Sequence, residues 1–485
     1  MKQMKRLATS FCLTLGALLC LSGCASMAPP YTQPLAPVSE AWPSGPAYPK
    51  GAGQPSDQAA ADIPWQDYFV DQRLQEVIAL ALNNNRDLRI AALNIERAQA
   101  HYRIQRADLL PKVDVVVAVS GQEIPQDLTS SGKSTTAAQY NVGLGVSAFE
   151  LDLFGRIRSL QEVALEQYLA TAEARRAIQI SLIAEVVAAY LGLAADRELL
   201  LLARETLKAQ EESYGLIKRR LELGATSELV LQQAQTRVEA AKVDIARYTT
   251  LVAQDENAIT LVVGSPFPTG LQPRPLSDTI TVVRVLVPGL PSEVLLRRPD
   301  VLAAEDLLKG MNANIGAARA AFFPRISLIG ALGIGSDQLG GLFNSGALAW
   351  TFAPRVTLPI FDNGSNLAAL KVGEVDREIA VARYEKTIQI AFREVADALA
   401  QGGTIDEQLA AQQSLTEATA ASLRLSQARF EGGVDSYLNV LDAQRSVYGA
   451  QQGVIATRLT RLLNLVNLYK VLGGGGEFMP LSPEA

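Results

Sequence analysis

Residues 106–113 read RADLLPKV, and the pattern returns 213 positions later, at residues 319–326, as RAAFFPRI. Residues 224–227, GATS, likewise return as GVDS at residues 433–436, an offset of 209. Because the register holds across separate blocks, we interpret the chain as two repeats of one plan. The predicted domains are residues 71–263 (repeat 1), 264–291 (a connector rich in Gly and Pro), 292–472 (repeat 2) and 473–485 (a C-terminal tail).

Each repeat is predicted to contain a helix, two strands, a very long helix, a tight turn and a return helix. The first helix is expected from about Gln72 to Leu110, before Pro111. The long helices are expected from Phe154 to Arg220 and from Gly364 to Phe430, the second with its main interruption at Gly402-Gly403. About 65 helical residues span about 100 Å. The return helices carry a coiled-coil heptad, formed by Leu231, Ala234, Val238, Ala241, Ile245, Tyr248 and Val252, and by Val440, Ala443, Val447, Ala450 and Val454.

Between the helices the apolar pattern changes to a period of two. The predicted strands cover residues of about 112–121, 139–153, 325–336 and 349–361, with apolar residues on one face and small or polar residues on the other. Strands of about ten residues with this alternation are typical of outer-membrane barrels. Taken alone, the alternation fits a half-buried sheet of a soluble protein equally well.

The N-terminus has the pattern of a bacterial lipoprotein leader. Lys2, Lys5 and Arg6 precede a short apolar run that ends in Leu21-Ser22-Gly23-Cys24, which resembles a lipobox. We therefore predict a signal peptide over residues 1–23 and a lipid-acylated Cys24. An ordinary signal peptide containing a cysteine is the alternative. Residues 24–70 are rich in proline and are predicted to form an extended N-terminal strap. Beyond residue 24 no stretch approaches 18 uninterrupted apolar residues, so no transmembrane helix is predicted.

Composition excludes several classes of function. Lys and Arg number 44 against 50 Asp and Glu, for a net charge of −6 without a basic face, which argues against nucleic-acid binding. The three cysteines lie within the first 24 residues, and His101 is the single histidine. Disulfides, cysteine metal sites, a histidine triad and a multi-histidine zinc site are therefore excluded from the body of the protein. We predict no catalytic residues, no metal and no cofactor, and we do not expect an enzyme.

Four strands cannot close a barrel, since the smallest single-chain barrels have roughly eight. Open sheet edges in hydrocarbon would leave backbone groups without hydrogen bonds, so the chain is expected to oligomerise. Two copies would give an eight-stranded barrel filled by side chains, and three would give twelve strands with an open lumen. The small residues on one face favour three copies.

Several motifs together resemble the TolC superfamily, and most closely the OprM-type lipoprotein outer-membrane factors of drug efflux. They are the lipobox, Asp152-Leu153-Phe154-Gly155-Arg156, residues 319–324, Leu358-Pro359-Ile360-Phe361, residues 433–436, Leu441-Asp442-Ala443-Gln444 and Leu465-Val466-Asn467-Leu468-Tyr469-Lys470. The resemblance implies an α+β membrane protein, a homotrimer with a twelve-stranded β-barrel on a coiled-coil α-helical tunnel through the periplasm. The implied partners are a periplasmic adaptor (membrane fusion protein) and an inner-membrane transporter of the resistance-nodulation-division type, which export drugs or solvents through this duct.

The two tight turns are predicted to lie at the periplasmic tip, where glycine suits a helix C-cap. There the repeat diverges, because Gln233 is replaced by Asp442. Leu438 and Asp442 share one helix face, and the resemblance implies that they form the periplasmic gate. At the position where the family often has Tyr, this chain has Phe430. The predicted adaptor-docking residues are Gly224, Thr226, Ser227, Gly433, Asp435 and Ser436.

Two other functions remain open from the sequence. The same architecture serves as the exit duct of type I protein secretion. A structural trimeric lipoprotein that bridges envelope layers is a second alternative, although such a rod has no need of the period-two strands.

Overall fold

The structure is a computed structural model that describes residues 26–49, 59–130, 132–276, 286 and 291–476. The predicted signal peptide and Cys24 lie outside the described residues. The helices are α1 (Trp65–Tyr68), α2 (Gln72–Asn84), α3 (Arg86–Ala107), α4 (Arg156–Glu222), α5 (Glu228–Val263), α6 (Pro291–Leu295), α7 (Pro299–Ala320), α8 (Ser365–Glu431) and α9 (Tyr437–Val471). The strands are β1 (Val113–Ile124), β2 (Thr135–Leu151), β3 (Arg325–Ser336) and β4 (Leu348–Thr357).

The two very long helices are present, and each has 67 residues. The interruption expected at Gly402-Gly403 is wrong, because α8 continues through both residues. A Cβ atom at Gly403 would collide with the backbone carbonyl of Ala47. The glycine therefore lets the N-terminal strap approach the helix closely, and its role is packing rather than helix termination.

The first helix is divided, where a single helix to Leu110 was expected. Asn85 lies between α2 and α3 with φ −62° and ψ 132°, outside the helical region. Its Oδ1 accepts a hydrogen bond from the Leu88 amide at 2.9 Å, and its Nδ2 donates to the Val262 carbonyl at 2.7 Å. Asn85 therefore caps α3 and ties it to the end of α5, which explains the break.

The four strands form one antiparallel sheet in the order β1-β2-β3-β4. Strand β1 continues three residues beyond the expected end, because its pairing with β2 continues to Ile124 opposite Thr135. Strand β4 ends at Thr357 rather than at residue 361, since Thr357 pairs with Arg325, the first residue of β3.

The register of the sheet separates two faces. Val117, Val142 and Ile334 lie in one row across three strands, and Val116, Gly143 and Gly333 lie in the next. Because neighbouring rows point to opposite faces, one face is apolar and the other carries small residues. A Cβ atom at Gly333 would collide with the backbone of β2. The predicted alternation is therefore present in the sheet.

The chain divides into two compact units, and each draws on both predicted repeats. The first contains residues up to 34, 94–171 and 303–384, including the whole sheet. The second contains residues 35–93, 172–302 and those from 385 onward, and it is helical in its described part. The sequence boundaries of the two repeats remain a prediction.

In the first unit the N-terminal strap is held against α7. The Asn312 side chain donates to the Pro29 carbonyl at 2.7 Å, and Arg319 donates to the Met27 carbonyl at 3.2 Å. A Cβ at Gly316 would collide with Ala28. The extended strap is thus fixed by side chains that bind its backbone.

The described part of the second unit has an apolar core and one buried cation. Within it, Arg298 is 8% exposed and donates to Asp300, to Glu394 and to the Val471 carbonyl at 2.7 to 3.0 Å. These partners compensate the cost of burying the charge.

Helix α4 is the one described helix that is long and apolar enough to cross a membrane by length and composition. Half of its apolar stretch is buried inside the protein, and Ile183, Val187 and Tyr190 of α4 are fully buried. Burial in the protein core explains the apolar composition of α4 as readily as insertion into a membrane would.

Candidate functional site

Each long helix ends in a left-handed glycine. Gly224 and Gly433 have φ values of 69° and 72°. In the first turn the Ala225 amide donates to the Arg220 carbonyl at 2.8 Å, and in the second the Val434 amide donates to Arg429 at 2.9 Å. This is the Schellman pattern, which requires a residue that tolerates positive φ. The predicted C-cap role of both glycines is therefore present.

The return helices begin at Ser227 and Ser436, which have extended backbones, and neither side chain caps its helix. Asp435 does not cap the helix either, because its carboxylate accepts from the Arg429 Nε at 2.5 Å. The Arg429 guanidinium holds the pKa of Asp435 below its usual value. The second turn is therefore closed by an ion pair that the first turn lacks, since Thr226 occupies the position equivalent to Asp435.

A shared apolar cluster packs the two turns against each other. Its buried members are Ile217, Leu231, Ala234, Tyr437, Val440 and Leu441. Tyr437 also shares a hydrogen bond with the Ser213 hydroxyl at 3.0 Å, and the Phe430 ring lies 5.1 Å from its ring. The Arg220 guanidinium lies 4.9 Å from the Phe430 ring centroid. Phe430 therefore holds its place through ring contacts, without the hydroxyl that Tyr would supply.

Leu438 and Asp442 lie on the exposed face of α9. The side chain of Asp442 is 63% exposed and forms an ion pair with Arg445 at 2.7 Å, and Leu438 is 60% exposed. Val440 and Ala443, on the heptad seam, are buried. The structure thus places both predicted gate residues together, off the seam and facing away from their own chain.

Sequence reasoning missed two apolar side chains beside the turn glycines. Leu223 is 83% exposed and Val434 is 65% exposed. The signal was their position in the sequence, since each stands directly beside a turn glycine. Among the predicted docking residues, Thr226 and Asp435 are half-buried, whereas Gly224, Ser227, Gly433 and Ser436 are exposed.

Across the described residues, no group of three His, Cys, Asp or Glu side chains has an arrangement that could hold a metal ion. The arrangement at the turns is one of caps, an ion pair and exposed apolar residues. Such a surface has the features of a contact site for another protein or of a constriction in a channel.

Comparison with known proteins identifies the family. The family described as "Outer membrane efflux protein" matches residues 77–265 and 290–474, which together make up most of the chain.

Two relatives from Pseudomonas putida are each 49% identical over 455 residues, which is 94% of this chain and 93% of theirs. One is named antibiotic efflux pump outer membrane protein ArpC, and the other is named toluene efflux pump outer membrane protein TtgC. The solved open state of the Neisseria gonorrhoeae MtrE outer membrane channel is similar with a TM-score of 0.84 and 40% identity. That match covers 93% of this chain and 98% of the channel.

These similarities confirm the predicted fold class, the trimeric TolC-like channel in which each chain gives four strands to a barrel above a helical tunnel. They confirm the outer-membrane location with a periplasmic tunnel, and a role in efflux rather than in catalysis. The chain belongs to the outer membrane efflux protein family.

Proposed function

We propose that this chain is the exit duct of a tripartite pump that exports antibiotics and aromatic solvents. The observation that supports this is the 49% identity, over 94% of the chain, to proteins named for antibiotic and toluene efflux. The proposed partners are a periplasmic adaptor and an inner-membrane transporter of the resistance-nodulation-division type. Lipid acylation at Cys24 would add a second attachment to the outer membrane.

Deletion of the gene in its native host tests the export role. We expect hypersensitivity to toluene and to several unrelated antibiotics, restored by the intact gene. Complementation with Cys24→Ala measures what the lipid contributes. Unchanged susceptibility to every compound, in a host that lacks related exit ducts, would contradict the proposed substrates.

Within this duct we propose that Leu438 and Asp442 close the periplasmic end. Both side chains are exposed in the single chain and lie four residues apart on α9. Three copies around an axis would form a ring of leucines and a ring of carboxylates. Apolar rings obstruct passage by excluding water, and charged rings select among ions.

Conductance of purified trimers in planar bilayers tests the gate. Asp442→Ala is expected to raise ion conductance, because the carboxylate ring and its pairing with Arg445 are lost. The matched control is Gln233→Ala, at the equivalent position of the first repeat. Equal conductance of Asp442→Ala and the intact trimer would remove Asp442 from the gate.

We further propose that the turns at residues 224–227 and 433–436 receive the adaptor. The exposed Leu223 and Val434 supply apolar contact there, and the glycines leave the surface open, since a Cβ at either would meet nothing within 4 Å. Gly433→Leu is expected to abolish co-purification with the adaptor while trimers persist. Gly132→Leu, at another open glycine with positive φ but in the loop between β1 and β2, is the control. Normal assembly by Gly433→Leu would argue against this docking surface.

A further inference from the structure

Strands β1 and β4 form the two edges of the sheet. In the described part of the chain, neither outer edge has a strand partner. Backbone groups in hydrocarbon must be hydrogen-bonded, so in the trimer each β4 edge lies beside the β1 edge of a neighbouring copy. The directions agree, because β4 runs toward the helices and β1 runs away from them, as antiparallel pairing requires.

The two edges carry opposite charges on the same face of the sheet. Asp114 lies in a row with Gly145, Ala331 and Thr351. Arg355 lies on β4 four residues beyond Thr351 and therefore on the same side. Both side chains are exposed, and within the described residues neither has an ion-pair partner within 4 Å. This face is the one with small residues, which suits the lumen of a barrel.

The two charges also lie at the same end of the sheet. All four junctions between strand and helix are at this end, because the first residues of β1 and β3 pair close to the last residues of β2 and β4. Asp114 is the second residue of β1, and Arg355 is the third from the end of β4. Within one chain the row of Asp114 reaches β4 at Thr351, and closing a barrel staggers the rows where its edges meet. A stagger of four residues at the seam would set Arg355 opposite the partner's Asp114, within the reach of an arginine.

The chain already contains a pair of this kind. Glu150 on β2 accepts from Arg325 on β3 at 2.7 Å, on the same face and at the same end. In the strand register, Arg355 lies opposite Ser327, and Ser327 lies opposite Glu150. Arg355 and Glu150 therefore stand in one row of the sheet. A further pair at the edge would continue a belt of alternating charge around the base of the barrel.

We propose that Arg355 of each copy forms an ion pair with the partner's Asp114, and that this pair fixes the register in which neighbouring sheets join. Shifting the edge pairing by one residue would turn the charge of one strand toward lipid. A shift by two residues would keep both faces but separate the two charges, so the pair favours one closure of the barrel among those that keep the faces. The interaction rests on the trimeric fold and not on the substrates, adaptor or gate proposed above.

Cysteine cross-linking tests the contact. The cysteines of the chain lie at residues 12, 20 and 24, so the body has no thiol of its own. Asp114→Cys combined with Arg355→Cys is expected to give covalent dimers and trimers on oxidation in outer membranes. The control combines Arg355→Cys with Val115→Cys, whose side chain lies on the other face. Absence of cross-links in intact trimers of the first variant, or equal cross-linking in the control, would overturn the proposal.

Exchanging the two charges tests whether the ion pair stabilises the trimer. Asp114→Arg alone and Arg355→Asp alone place like charges at all three seams, and each is expected to lower the temperature at which trimers dissociate. The combined variant restores the attraction with its direction reversed, so its dissociation temperature should return toward that of the intact trimer. A combined variant no more stable than the sum of the single effects would refute the pairing.

Discussion

Glu166 is a buried carboxyl group whose stability effect depends on pH. It lies on α4, is 7% exposed, and its Oε2 atom is buried without a hydrogen-bond partner. Burial and, after it, the charges of Asp306 and Glu162 raise its pKa against the opposing charge of Lys309, and the net result is a rise from 4.5 to about 7. The folded chain therefore retains a proton at near-neutral pH that the unfolded chain releases.

The sign and size of the effect follow from that proton. Because the pKa is raised on folding, the free energy of unfolding is highest below about pH 4.5 and falls as the pH rises to about 7. A shift of this size corresponds to at most about 3 kcal/mol per chain. Glu166→Gln keeps the shape of the protonated acid and cannot ionise. It should therefore stabilise the protein at about pH 8 and leave its stability near that of the intact chain at about pH 4.

Thermal unfolding of purified trimers, followed by circular dichroism at one scan rate, measures this difference. The unfolding temperature of Glu166→Gln should exceed that of the intact protein at about pH 8, and the gap should close as the pH falls. Glu205→Gln, an exposed position on the same helix, is the control and should show no such gap. An equal difference at both pH values, or destabilisation by Glu166→Gln at about pH 8, would refute the reasoning.

Three further predictions use the same unfolding measurement. Gly403→Leu should destabilise by about 1–3 kcal/mol by forcing the strap at Ala47 away from α8, whereas Gly449→Ala, where a Cβ meets nothing within 4 Å, should stay within about 0.5 kcal/mol of the intact protein. Arg298→Ala should cost about 3–5 kcal/mol because two carboxylates lose their buried partner, and an effect below about 1 kcal/mol would contradict that account. Asn85→Ala should cost about 1 kcal/mol through the lost cap, and an unchanged unfolding temperature would show that the cap is unimportant.

Much of the fold could be predicted because its signals are local. Period-two runs predicted the strands, and the long helices lack internal prolines between residues 156 and 222 and between 365 and 431. The two turn glycines were predicted because positive φ leaves few alternatives to glycine. These features depend on neighbouring residues, which sequence displays directly.

The errors arose where distant residues decide the outcome. The break at Asn85 depends on the Val262 carbonyl, 177 positions away. The unbroken helix at Gly403 depends on the strap at Ala47, which fills the space that a side chain would take. Tertiary contacts of this kind override local preference.

The construction of each unit from both repeats has a consequence for synthesis. Leu151 of β2 pairs with Ile326 of β3, so the sheet joins residues about 175 positions apart. At about 5–20 residues per second the ribosome takes roughly 9 to 35 seconds to supply β3 after β2 has emerged. Until β3 is in place the first hairpin would have an unpaired edge and an apolar face, and a chain truncated after the first repeat would keep both exposed. The duplication in the sequence therefore does not correspond to two independent folding units.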